Sequence, residues 1–330
     1  MNYRLEVIFR KKQTKILYQG ISYLRKNLSD ELLITDKMIR LEFKRTEKLD
    51  ETKFLETPNS LIRYELQRAL VFYLAVTGMF PPVSKVLLWK GETPYQIEHK
   101  HFTNTWRQCG IDICIPETVC GRIFANDEKA KHIYIAITYF LKAQLVLFSN
   151  DAFRSAWSGF NAIYRIFRSS DDEADKKQLK RFVKLLNKLT AKGAISEVKM
   201  LDREFWETLE WYQFVERNYD RSKWKFLQGN EYIDYIIIQP LLKLSLKKGF
   251  DDQHRIHHLE NVIEKEHTDY LVRLQFLLCE YCYMLRNRSF HAAKAYPIFV
   301  IADDAETRNE KILTRIILLT IKDILMSDVI

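Results

Sequence analysis

Arg286-Asn287-Arg288-Ser289-Phe290-His291 sets a permanent cation and a near-neutral proton carrier five positions apart, where a strongly apolar helical pattern meets a polar connection. On a helix that spacing leaves both side chains near one face, about one turn apart. A guanidinium grips two non-bridging phosphate oxygens and stabilises charge that builds in a transition state. An imidazole takes a proton from a 2′-hydroxyl or returns one to a leaving 5′-oxygen. The pair therefore has the chemistry to handle a phosphodiester. Arg and His five apart arise by chance about 0.5 times in a chain of this composition, so spacing alone decides nothing; requiring Asn after the Arg lowers that to about 0.02. The plainer reading makes Arg286 and Arg288 cations at a helix C-terminus, favoured by the macrodipole, with His291 an ordinary loop histidine.

Other residues compete less well. His254, His257, His258, Glu264 and His267 offer nitrogens on adjacent turns but no H-E-x-x-H pattern. Cys279-x-x-Cys282 falls among Leu and Tyr without a second pair, and Cys109, Cys114 and Cys120 fit no zinc spacing; packing explains all five. Neither a metal nor a cofactor is expected. Lys176, Lys177, Lys180 and Lys184 belong to a charge run that forms either a solvated helix face or, with Arg288, an electrostatic track for RNA phosphates. Trp157, Phe160 and Tyr164 are spaced as core aromatics. Gly-rich phosphate loops, a nucleophile elbow and zinc-finger spacings are missing from the sequence, which counts against an NTPase, an ordinary esterase and a zinc-dependent DNA reader.

The elements that position these groups are mostly helical. Nine Gly and seven Pro in 330 residues, with 47% hydrophobic and 29% charged residues, exclude a disordered or collagen-like chain. The net charge of +9 permits a polyanion partner without demanding one. Tyr3–Phe9 and Ile39–Phe43 alternate as short strands. Thr57-Pro58-Asn59-Ser60 opens a helix that Pro81-Pro82 closes, and 83–130 carries no regular pattern. Beyond 130 the periodicity predicts helices over Ile133–Phe148, over Phe153–Phe167 after Ser149-Asn150-Asp151, and from Ser170 with Leu179, Phe182, Leu185, Leu186 and Leu189 inside. Further helices are expected over Arg203–Arg217, over Tyr232–Leu246 with a break at Pro240, over Tyr270–Arg286 and around Ile312–Ile324. The expected fold is mainly α: a mixed α/β region over 1–130 and a helical domain over 131–330. The apolar run Ala69–Phe80 is too short to span a bilayer, which needs roughly twenty residues. The charged N-terminus does not suit a signal peptide, and the reading is a cytoplasmic protein with reduced thiols.

Arg286-Asn287-x-x-x-His291 resembles the R-N-x-x-x-H form of the motif of the HEPN ribonuclease superfamily, a compact helical bundle. Ala152–Arg165 is similar to the second helix of such domains, and the resemblance extends over about residues 130–330. It implies a metal-independent endoribonuclease with Arg286 and His291 as the catalytic pair and Asn287 as a polar helper. The products would be a 2′,3′-cyclic phosphate, or a 3′-phosphate, and a 5′-hydroxyl. It also implies a homodimer that unites two motifs in one cleft, and a role as a toxin or in abortive defence against phage, with room for an inhibitory partner protein. The alternative is a helical module that binds RNA, a nucleotide or a protein without chemistry.

Overall fold

The computed structural model describes residues 1–10, 15–25, 27–46, 49, 53–55, 57, 60–97, 112–168, 173–210, 270–290 and 305–327. The expected helix over Tyr232–Leu246 lies outside them. Two compact units emerge: Met1–Leu147 with Ser158–Ile166, and Phe148–Trp157 with Phe167–Val329.

The first unit is built on six strands, β1 (Asn2–Phe9), β2 (Ile16–Arg25), β3 (Leu28–Thr35), β4 (Met38–Lys44), β5 (Val83–Lys90) and β6 (Thr93–Ile97). They form one antiparallel sheet in the order β2-β3-β4-β1-β5-β6. This corrects the mainly α expectation: the protein is mixed α/β, with four strands that sequence reasoning missed. The register explains the two it found. Tyr3 faces Phe43, Leu5 faces Leu41 and Val7 faces Ile39, so both alternations bury the same face.

The missed strands break the alternation for physical reasons. In β2 and β3 the inward positions include Ser22 and Asp30, both buried and polar. Ser22 donates to Glu65 at 2.5 Å, and Asp30 accepts two charge-assisted bonds from Arg45 at 2.6 and 2.7 Å. In β5 the outward face carries Leu87 and Trp89, and Trp89 lies beneath Arg4, 4.3 Å from its ring centre. Apolar residues on both faces hide the period. In β6 Pro94 sits on an edge strand, the place where a sheet tolerates it.

Helix α1 (Leu61–Thr77) covers the inner face. The Ser60 hydroxyl accepts from Arg63 N, and Gly78 ends the helix at φ 76°, so termination precedes Pro81. Phe72 is fully buried in a cluster with Tyr18 and Phe124, ring centres 5.6 Å from each. The short α2 (Glu117–Cys120), a 3₁₀ turn at Gly121–Phe124 and α3 (Glu128–Leu145) complete this layer. Asp127 caps α3 through a 2.6 Å bond from Ala130 N. Helix α4 (Ser149–Arg165) takes in the expected capping residues Ser149-Asn150-Asp151 as its first turn, where the Ser149 hydroxyl donates to Glu310 at 2.9 Å, and divides its residues between the units.

The second unit is helical among the described residues: α5 (Asp175–Leu185), α6 (Lys192–Lys199), α7 (Arg203–Thr208), α8 (Tyr270–Phe276), a π-helical segment at Leu277–Tyr281, α9 (Cys282–Phe290) and α10 (Ala305–Met326). Helix α5 begins at Asp175 rather than Ser170 and stops at Leu185, after which Leu186 is extended. Leu179 and Phe182 are buried as the stripe predicts, and so is Leu186 just past the helix end; Leu185, the last helical residue, is 48% exposed, and Leu189, beyond the end, 90%. Asp323 of α10 receives the backbone N–H of Ala194 at 2.9 Å and so caps α6. Gly193 permits that approach, since a Cβ there would lie 2.8 Å from the Asp323 carboxylate. Among the described residues no helix is long and apolar enough to cross a membrane.

The aromatic cluster under α1 carries a stability prediction. Phe72→Ala should lower unfolding free energy by about 3–5 kcal/mol, whereas Ser60→Ala should cost about 1 kcal/mol. Urea unfolding midpoints at constant slope would check both; a small loss at Phe72 would mean that the cluster is not the organising core of the unit.

Candidate functional site

Residues 270–290 form one helical stretch whose middle widens to π geometry at Leu277–Tyr281. Such bulges shift every later side chain relative to the α-helical register, and they concentrate at functional sites. Here the shift precedes the motif. It also buries Glu280 among Leu277, Leu278, Cys279 and Tyr281. An unpaired carboxylate there would be costly. Lys176 and Lys180 of α5 neutralise it, with Nζ atoms 3.0 and 3.2 Å from its two oxygens.

That double ion pair sets the start of α5 against the π-helical segment, just before α9 begins. Tyr283 receives two cations at its ring, Lys176 Nζ at 5.5 Å and Arg286 Cζ at 5.7 Å from the centroid, and Trp157 packs against it at 6.1 Å. Arg286 is half-buried. Its Nη1 donates to Asn287 Oδ1 at 2.8 Å, and its Nη2 lies 3.7 Å from Asp175 Oδ2. Two of the three catalytic candidates are thus in direct contact. His291 lies outside the described residues, as do Cys109 and the cluster His254, His257, His258, Glu264 and His267.

The remaining candidates separate by environment. Arg288 is only 2% exposed and forms an ion pair with Glu210, whose backbone N–H also donates to the Tyr281 hydroxyl at 2.9 Å. Its charge is held inside the fold. Lys176 and Lys180 are committed to Glu280, though Lys180 stays about half exposed. Lys177 and Lys184 are exposed on the outer side of α5. Trp157, Phe160 and Tyr164 are all buried.

Sequence reasoning missed Asp175, Glu210, Glu280 and Tyr283. One signal was present: a lone Glu in Leu277-Leu278-Cys279-Glu280-Tyr281-Cys282 demands cationic partners, and the Lys pair at i, i+4 on α5 could supply them. Nothing in the sequence pointed to Glu210 as the partner of Arg288.

Cys279 and Cys282 are free and buried beside the motif. Burial pushes the Cys279 thiol up to about 12, with the neighbouring Glu280 adding to the effect, and burial raises Cys282 as well. Neither forms a reactive thiolate near neutral pH. Among the described residues no group of three His, Cys, Asp or Glu is placed to hold a metal ion. Comparison with models of protein families, with curated proteins and with solved structures finds no match for the chain.

Two outcomes test this geometry. Arg288→Met should destabilise the protein by about 3 kcal/mol, because it takes the Arg288 cation away from the Glu210 carboxylate; thermal melts of the single variant and of the Arg288→Met, Glu210→Gln double variant would show the loss and its partial recovery. Under native conditions iodoacetamide should label Cys114, which is partly exposed, well before Cys120, Cys279 or Cys282. Peptide mass spectrometry reads the order, and early labelling of Cys282 would contradict its burial.

Proposed function

We propose that the protein is a metal-independent endoribonuclease with a HEPN-type site, in which Arg286, Asn287 and His291 act on RNA. The observation that carries this reading is the disposition of Arg286: half-buried on α9 beside the Tyr283 ring, tied to Asn287 at 2.8 Å, with its Nη2 3.7 Å from Asp175. A phosphate oxygen can exchange for that distant carboxylate and make a shorter, charge-assisted bond. Arg286 then stabilises the phosphorane-like charge, and His291 takes the 2′-hydroxyl proton as that oxygen attacks the adjacent phosphorus. The P–O5′ bond breaks and the imidazolium returns its proton to the leaving 5′-oxygen, which makes a 2′,3′-cyclic phosphate and a 5′-hydroxyl. Asn287 holds the guanidinium in plane. The exposed Lys177 and Lys184 attract the RNA backbone. A homodimer supplies the second motif of a composite cleft. In this reading the protein works in the cytoplasm as a toxin or an anti-phage effector, and an inhibitory partner protein restrains it.

A second reading has one specific observation behind it. Arg286 with Asp175 and Arg288 with Glu210 are both internal pairs, as a helical binding module without chemistry would have them. The variants His291→Ala and Arg286→Ala separate the two. Mapping of cellular RNA 3′ ends should show cyclic-phosphate termini with the wild type and a loss of about 10²–10⁴-fold in each variant, with fold intact by circular dichroism. Cleavage should persist in EDTA and fail on RNA with a 2′-deoxy at the scissile nucleotide. Equal 3′ ends in wild type and both variants would leave the binding module.

A further inference from the structure

The sheet unit holds a cavity of about 250 Å³ whose wall includes Arg68, Tyr23, Tyr64, Tyr134, Asp127 and Glu128. Arg68 is a charge in the interior, 3% exposed. Its Nη1 donates to the Tyr23 carbonyl at 2.9 Å and to Glu65 at 2.5 Å, and its Nη2 donates to the Ile123 carbonyl. A guanidinium carries five N–H donors, and its Nε has no hydrogen-bond partner. A buried donor left unmet is costly, and a ligand acceptor is one way to satisfy it.

The other walls narrow the ligand. Tyr64 and Tyr134 meet edge to face with ring centres 5.6 Å apart, and Arg68 lies 5.6 Å from the Tyr64 ring centre. These rings suit a flat, aromatic guest. Burial pushes the Tyr134 hydroxyl up to about 12, so it stays a neutral donor. Asp127 and Glu128 add two carboxylates, the first capping α3 and the second paired with Lys131 at 2.5 Å. With Arg68 and Lys131, which also lines the cavity, the wall carries two cations and two carboxylates. Such a balanced wall suits a neutral ring with acceptors on one edge and N–H donors on another.

Guanine has that distribution. Its O6 and N7 accept a two-pronged bond from an Arg, its N1–H and N2–H₂ donate to carboxylates, and its ring stacks on tyrosine. Adenine places an amino donor where guanine has O6, and uracil offers a smaller stacking face. We infer that this cavity binds a guanine base, with Arg68 on the acceptor edge, Asp127 or Glu128 on the donor edge and the tyrosines against the ring. The base belongs either to a free guanine nucleotide or to an unpaired guanine in a nucleic-acid strand. The cavity lies wholly within the sheet unit, so this inference stands independently of the RNA-cleavage reading.

The test is calorimetric titration of the full chain with GMP, with AMP, and with an uncleavable 2′-deoxy oligonucleotide carrying one guanine among thymines, against its adenine counterpart. Guanine should bind at least about tenfold more tightly than adenine. Asp127→Asn keeps the helix cap, because Asn caps as well as Asp, yet it removes a carboxylate; Asp127→Asn combined with Glu128→Gln should weaken guanine binding about tenfold or more. A preference confined to the oligonucleotide identifies a nucleic-acid strand as the source, and equal binding of GMP identifies a free nucleotide. Absence of saturable guanine binding by the folded protein up to about 1 mM, an affinity equal for both bases, or an affinity untouched by the double variant would each overturn the assignment.

Discussion

A carboxylate placed in the middle of an apolar helix obliges the rest of a fold to bring it a cation, and Glu280 does this for the helical unit. Desolvating an ion costs several kcal/mol unless geometry and hydrogen bonds offset it. Lys176 and Lys180 meet the demand from successive turns of one helix face, on α5. Because both come from the same helix, the pairing sets the height and rotation of α5 against the π-helical segment. The consequence reaches the motif. Asp175, one residue before Lys176, arrives opposite Arg286, and Lys176 shares the Tyr283 ring with it.

The sheet unit answers the same physical problem with Glu65 and Arg68, two charges on one helix turn of α1. Burial raises the Glu65 carboxyl above its usual range, against the opposing pull of Arg68 and the Ser22 hydroxyl. A raised folded-state pKa means that the fold holds the Glu65 proton more tightly than the unfolded chain does. Its contribution to stability is therefore largest below its unfolded pKa and falls as pH rises through the folded value. The Arg68 side chain ties α1 to β2 and to the 3₁₀ turn through the carbonyls of Tyr23 and Ile123. In both units a buried ion pair fixes how elements dock, and apolar packing supplies most of the stabilisation.

The contrast between α5 and β2 shows how much was legible. In α5 the apolar stripe was read correctly at Leu179, Phe182 and Leu186, because a helix against one core repeats its burial every three to four residues. The same stripe was carried too far, to Leu189, because the end of the helix is set by local backbone at Leu186 and not by the pattern. In β2 the inward positions are Gly20, Ser22 and Tyr18, and such a set resembles no alternating strand. Burying Ser22 is sensible only because Glu65 of a distant helix accepts its hydroxyl. Polar groups inside a core are legible only once their partners are known.

Taken alone, the amino-acid order determined the local facts. It fixed the strands β1 and β4, the capped start of α1, the apolar faces of α4, α8 and α10, and the adjacency of Arg286 and Asn287, all of which depend on neighbours a few positions away. Tertiary structure alone decided that the described residues form a sheet of six strands, that Arg288 is sealed against Glu210, and that Lys176 and Lys180 pair with Glu280 while Lys177 and Lys184 face water. Each of these depends on a partner far along the chain, and electrostatic pairing over such separations leaves no periodic trace in sequence.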